Sequence, residues 1–228
     1  YEAEEKITVN GNVDLYAVVF NRTTETDLTE DQLPQVDIYK YKQVIFVGDS
    51  RTEFMENVLT GMGESATKNV KFVCSAGKGL DWFTTTGWAQ LYSIVQHDSN
   101  SILSKKTAVI FNFGVNDLSK SADYAEYYNW IAPQLKSKGC ELYFMSVNPV
   151  NRLMLPNAGR ADRSEAAVRS FNQYMKANLS SAYTYIDMYS YLKSTGYSFA
   201  SDHYGTGTVD DGLHYTTCLL YTSPSPRD

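Results

Sequence analysis

Histidine and cysteine are scarce in this chain, with three of each in 228 residues. The cysteines, Cys74, Cys140 and Cys218, are too few for a disulfide framework, and no cluster has the spacing of metal ligands. Cys74 and Cys140 fall at predicted strand ends, where a free buried thiol is the plain explanation. No metal and no cofactor is expected. Long apolar runs are missing too: none approaches the ~20 residues of a membrane-spanning helix. Positive charge is in deficit, with 20 Lys and Arg against 26 Asp and Glu, so a nucleic-acid partner has no electrostatic support. No leader pattern opens the chain, which begins in mid-pattern without a Met, as a chain that had lost its leader would. What is present suits a soluble globular domain with extensions, at 43% hydrophobic and 20% charged residues. Tyrosine is abundant, and core and surface packing explains it before a sugar-binding platform does.

The most informative stretch is Val44-Ile45-Phe46-Val47-Gly48-Asp49-Ser50. Four apolar residues, a glycine and a polar pair read as a buried strand breaking into a turn. A helical pattern comes next, with Phe54, Met55, Val58 and Leu59 on one face. Ser50 thus falls between a strand end and a helix start, where free N–H groups and positive potential gather. A serine that merely caps the helix fits the same segment. A second apolar strand, Ala108 to Phe111, ends in Gly114-Val115-Asn116-Asp117. Near the end of the chain comes Asp211-Gly212-Leu213-His214. An Asp three residues before a His can orient the imidazole through one ring nitrogen and leave the other for a serine. Between the first two segments, a predicted strand, Val70 to Cys74, leads into Ser75-Ala76-Gly77-Lys78-Gly79.

In this order the four segments resemble the blocks of the SGNH (GDSL-type) hydrolase family, over roughly Tyr41 to Thr217. The resemblance implies a three-layer α/β/α fold with a five-stranded parallel, flavodoxin-like sheet in the order 2-1-3-4-5. The pattern is compatible: strands are expected near 43–47, 70–74, 107–111, 141–146 and 183–186. Helices are expected near 51–61, 85–97, 122–138 and 164–179. Long loops over 148–163 and 197–210 would build substrate walls.

The resemblance also assigns roles. Ser50 is the nucleophile, His214 the base and Asp211 its orienter. The oxyanion donors are the Ser50 N–H, a glycine N–H of the second block and the Asn116 amide. That block departs from the usual Asn-x-Gly-x-x-Gly form, since Ser75 replaces the Asn and the glycines stand closer. Gly79 is the preferred donor and Gly77 the alternative. Asp49 is expected to tie down the turn and Asp117 to cap the helix after Asn116. Arg51 is open between a surface ion pair and a substrate contact. Asp210 competes with Asp211 as orienter, and spacing favours Asp211. Asp202-His203 is a second Asp/His pair, but adjacent residues of a strand point opposite ways. His97-Asp98 ends a predicted helix and needs no function.

The ends lie outside this pattern. Residues 1–21 alternate and turn at Asn10-Gly11, which suggests a hairpin. The Leu15-Tyr16-Ala17 strand resembles the end of a small β repeat of bacterial surface proteins. Residues 22–40 read as a linker. Residues 218–228 have no periodicity and resemble translated adaptor sequence, and Pro224 and Pro226 forbid a regular helix there. The domain of residues 41–217 is thus expected to lack the terminal helix of the family. The expected function is a secreted or cell-surface serine esterase that removes short acyl groups, acetyl above all, from carbohydrate through an acyl-enzyme. Its partner is that ester substrate, with no nucleic acid and no membrane insertion. A lipolytic esterase or lysophospholipase, an O-acetyltransferase and a non-catalytic glycan-binding module are the alternatives.

Overall fold

A computed structural model describes residues 41–63, 69–98, 106–158, 162–200 and 206–216. The expected hairpin, linker and non-native tail, and the Asp202-His203 pair, lie outside them. Five strands form one parallel sheet: β1 (Gln43–Gly48), β2 (Val70–Cys74), β3 (Thr107–Asn112), β4 (Cys140–Met145) and β5 (Tyr183–Ile186), in the order β2-β1-β3-β4-β5. This is the expected doubly wound order, and each strand lies within a residue or so of its expected place.

Alternation along the strands divides the core in two. Ile45, Val47, Val73, Val109, Phe111, Leu142 and Phe144 belong to the larger cluster. It takes in Leu91 and Val95 of α2 (Trp88–Asp98) and Tyr124, Tyr128, Ile131 and Leu135 of α3 (Ser121–Ser137). Val168, Phe171 and Met175 of α4 (Glu165–Asn178) complete it. On the other face Val44, Ala108, Ile110, Tyr143 and Ile186 meet Met188, Tyr191 and Leu192 of α5 (Met188–Thr195), with Phe199 and Tyr215. The helix α1 (Ser50–Gly61) packs against β1 and β2. Among the described residues neither Cys74 nor Cys140 forms a disulfide; Cys140 is buried and Cys74 half-buried.

Two helical features differ from the expected pattern. The run expected from residue 85 begins at Leu80, passes through a π-turn at Phe83–Gly87 and continues as α2. Thr84, Thr85, Thr86 and Gly87 are weak helix formers, so local propensity gives no sign that the run starts as early as Leu80. Packing restores it: Phe83 is fully buried, while the Thr84 and Thr85 hydroxyls donate to the Asp81 carbonyl at 3.0 and 2.7 Å. The helix α5 has no expected counterpart. It is short, is capped by Asp187 Oδ1 accepting from the Ser190 N–H at 3.2 Å, and stops at Gly196, φ +88°. Too few turns exist there for a 3.6-residue period to emerge.

Strand register aligns the loops at the carboxyl edge. Gly48 pairs with Cys74 on one side and with Asn112 on the other. The turns that leave β1, β2 and β3 therefore start level, at one edge of the sheet.

The aromatic packing at the centre of the sheet gives a test. Phe111 is fully buried, with its ring 4.7 Å from that of Tyr128 and 5.8 Å from that of Phe83. We expect Phe111→Ala to lower stability by about 3–5 kcal/mol in urea unfolding, the usual cost of such a cavity. A loss below about 1 kcal/mol would show that this ring is not packed as described.

Candidate active site

Ser50 opens α1 directly after the turn that leaves β1. Asp49 caps the helix: its Oδ1 accepts from the Arg51 N–H at 3.0 Å, and its carbonyl accepts from the Thr52 and Glu53 N–H groups, each at 3.0 Å. Asp49 thus ties down the turn. Gly48 is required there, because a Cβ would lie 1.9 Å from Thr52 Oγ1. Among the described residues, the Ser50 N–H donates to no protein group.

His214 reaches Ser50 from the far end of the chain. Its Nε2 lies 2.8 Å from Ser50 Oγ, and its Nδ1 lies 2.6 Å from Asp211 Oδ2. A carboxylate only accepts, so Nδ1 carries the proton and Nε2 is left to accept from the Ser50 hydroxyl. Asp211 Oδ1 is held by the N–H groups of Leu213 and His214, at 2.9 and 2.8 Å. Burial pushes the Asp211 carboxyl up, but the bonds from the imidazole and the two N–H groups outweigh it and hold it below its ordinary value. The Phe54 ring stacks on the imidazole at 4.4 Å and 8°. Ser50, Asp211 and His214 are all buried. Gly212 closes the loop: at φ +70°, its carbonyl accepts from the Asn151 N–H at 2.9 Å. Asp210 does not orient the His; it accepts from the Gly212 N–H at 2.7 Å and from Asn151 Nδ2 at 3.2 Å.

The loops after β2 and β3 meet beside this line. Asn116 Nδ2 donates to the Lys78 carbonyl at 2.8 Å, and its Oδ1 accepts from Arg163 Nη2 at 2.9 Å. Arginine only donates and a carbonyl only accepts, so the amide orientation is unambiguous and one N–H remains. Arg163 Nε also donates to the Val115 carbonyl, at 2.6 Å. Gly79 stands half-buried at the amino end of the run that begins at Leu80, and among the described residues its N–H has no protein partner. Gly77 is exposed in the preceding turn, at φ +69°.

Two expectations need correction. Asp117 does not cap the 3₁₀ turn that comes after it. Its Oδ2 accepts from the Leu80 N–H at 2.9 Å and its Oδ1 from the Tyr124 hydroxyl at 2.8 Å, so it caps the other loop's helix. A Cβ on Gly79 would lie 2.3 Å from Asp117 Oδ2, which explains the glycine. Arg51 does not form a surface ion pair. It is 6% exposed, and its guanidinium donates to the carbonyls of Leu213, Asn148 and Pro149, each at 2.9 Å. Phe54 and Arg163 were not expected as site residues. Phe54 sits four residues after Ser50, on the same helix face, so a signal for it existed. Arg163 carried none, being 47 residues from Asn116.

Among the described residues, no group of three or more His, Cys, Asp and Glu side chains could hold a metal ion, and no helix is long and apolar enough to cross a membrane. No family model matches this chain, and no curated protein matches it. Solved structures do. A candidate SGNH hydrolase from Slackia heliotrinireducens matches with a TM-score of 0.52 and 14% identity, over 79% of this chain and 94% of that one. An acetyl xylan esterase, AlAXEase, matches with a TM-score of 0.51 and 11% identity, over 78% of this chain and 93% of that one. The chain has the α/β/α fold of the SGNH hydrolases.

The capping carboxylate offers a pH test. Burial pushes Asp49 from 3.8 up to about 6, against the pull of Arg51, and Asp117 adds to the rise. A carboxyl raised on folding contributes stability that is full below its unfolded value and lost as pH rises through its folded one. Asp49→Asn keeps the capping oxygen and removes the titration. We expect the stability of the parent relative to this variant to fall by up to about 3 kcal/mol between about pH 4 and pH 7. Denaturant unfolding across that range measures it, and a pH-independent difference would show that Asp49 ionises normally.

Proposed function

We propose that this protein is a serine esterase that cleaves short acyl esters, acetyl above all, from carbohydrate through an acyl-enzyme. The observation that carries the reading is the hydrogen-bonded line from Asp211 through His214 to the Ser50 hydroxyl, buried at the carboxyl edge of the sheet. A serine hydroxyl is a poor nucleophile until a base takes its proton. His214 Nε2 takes it as Ser50 Oγ bonds to the ester carbonyl carbon, and Asp211 stabilises the imidazolium. The carbonyl oxygen becomes an oxyanion. The Ser50 N–H, the remaining Asn116 Nδ2–H and the Gly79 N–H are its donors, and all three are free of other protein partners among the described residues. Gly77 is the poorer glycine candidate because it is exposed. The intermediate collapses, the C–O bond to the alcohol breaks, and His214 returns the proton to the departing alkoxide. Water then attacks the acyl-Ser50 carbonyl with His214 again as base, which releases the acid and restores Ser50.

The substrate class rests on a likeness of fold and on one segment of the sequence. The acetyl xylan esterase of like fold supports an acetylated polysaccharide. Action at or outside the cell surface is part of the reading, on the strength of the repeat-like Leu15-Tyr16-Ala17 segment.

A serine-directed phosphonate is expected to label Ser50 alone, and Ser50→Ala to abolish hydrolysis of p-nitrophenyl acetate and acetylated xylan while the protein stays folded. Labelling at another serine would overturn the nucleophile assignment. Full turnover by the variant would do the same. Binding of glycan with no acyl turnover would point to a binding module.

Asn116→Ala is expected to lower kcat by roughly 10²–10³-fold with little change in KM, because an oxyanion donor acts mainly in the transition state. Steady-state kinetics on the same ester decides it: a raised KM at constant kcat would make Asn116 a ground-state contact.

A further inference from the structure

We infer that Arg51 is a positioning residue: it pins the loop that carries His214 to the helix that carries Ser50, and so sets the base against the nucleophile. Its catalytic meaning rests on the esterase reading, while its geometry stands without it.

Arg51 comes directly after Ser50, so its backbone moves with the nucleophile. Its side chain reaches three carbonyls on two segments far off in sequence. Nε donates to Leu213, Nη1 to Asn148 and Nη2 to Pro149, each at 2.9 Å. Leu213 is the residue before His214. Tyr215, the residue after it, lays its ring 5.2 Å from the guanidinium carbon, and its hydroxyl donates to the same Pro149 carbonyl at 2.6 Å. Arg51 therefore holds both chain neighbours of the base. Asn148 and Pro149 lie just past β4, so the same side chain also ties that loop to the sheet edge.

The partners are unusual for a buried cation. These three side-chain hydrogen bonds all go to backbone carbonyls, which belong to every sequence and mark none. The planar fork spreads its donors over three nitrogens, one to each carbonyl. A lysine ammonium is a compact, strongly hydrated point charge and cannot reproduce that fork. Bare carbonyls in a dry site would pull the loop toward water or a new partner. A shift of about 1 Å at a catalytic group costs about 10²-fold in rate. Its Nε, Nη1 and Nη2 are each spent on a carbonyl of the protein's own backbone, as a positioning role requires.

The test uses Arg51→Lys, Arg51→Met and Tyr215→Phe. Tyr215→Phe deletes one donor to Pro149 and keeps the ring. Three quantities are read: kcat and KM on p-nitrophenyl acetate, thermal unfolding, and the far-downfield proton NMR resonance of the His214 Nδ1–H bonded to Asp211. In a cooperatively folded Arg51→Lys we expect kcat to fall about 10²-fold with KM within about twofold of the parent, and the downfield proton to be lost or broadened. Tyr215→Phe should give a smaller fall in kcat at unchanged KM, and it carries the test if both Arg51 variants fail to fold. Unchanged kcat with the resonance intact in a folded variant overturns the inference and leaves the esterase reading standing. A raised KM at constant kcat overturns it as well, since Arg51 would then be a substrate contact. A parent that shows the resonance but hydrolyses no ester sinks the esterase reading alone. Loss of the resonance in Arg51→Lys would still support the positioning.

Discussion

Parallel pairing of three strands in one register underlies everything at this site. Cys74, Gly48 and Asn112 stand level across β2, β1 and β3. Each strand therefore delivers its next turn to the same edge at the same height. The turn after β1 presents Ser50, and the flanking turns present Gly79 and Asn116. Backbone hydrogen bonds enforce that level, and a slip of one residue would send every side chain of a strand to the opposite face. With Ile45, Val47, Val109 and Phe111 all buried, such a slip is strongly disfavoured. The hydrophobic core thus sets the relative height of groups that never touch it.

Burial then decides what each charged group does. Asp49 and Asp211 are both inaccessible carboxylates, yet they move in opposite directions. Asp49 has one N–H on its side chain and a like charge in Asp117, so burial wins and the carboxyl rises to about 6. Asp211 receives the imidazole and two N–H groups, so hydrogen bonding wins and the carboxyl falls. The second environment keeps a carboxylate ionised beside a histidine, as an orienter needs. Asp117 acts on the neighbouring loop through hydrogen bonds. Its two oxygens take the Leu80 N–H and the Tyr124 hydroxyl, and so bind the glycine-bearing turn to α3.

Much of this was legible in the chain. Apolar runs with β-branched and aromatic residues gave five strands nearly to the residue. Ser50 stood out by its place after a strand and Asp211 with His214 by their spacing, while Asn116 was singled out by the resemblance to the SGNH blocks. The misses have physical causes. The weak formers Thr84 to Gly87 concealed only the early start, at Leu80, of a helical run that tertiary packing holds. The helix α5 is too short to show a period. Asp117 and Asp49 look alike locally, as polar residues after a strand, but only Asp49 caps the helix beside it. Arg51 invited a surface reading because arginine is mostly exposed. Its partners are backbone carbonyls 97 to 162 residues away.

By itself the sequence determined the alternation of strands and helices, the order of the motifs and the residue types able to perform acyl transfer. Local propensity, apolar periodicity and turn chemistry act over a few residues, so they can be read from a few residues. The tertiary structure alone decided which helix Asp117 caps, that Arg163 braces the Val115–Asn116 turn and where Arg51 spends its donors. Those outcomes depend on backbone groups brought together from distant parts of the chain. A carbonyl carries no side-chain identity, and only folding places it within about 3 Å of a donor.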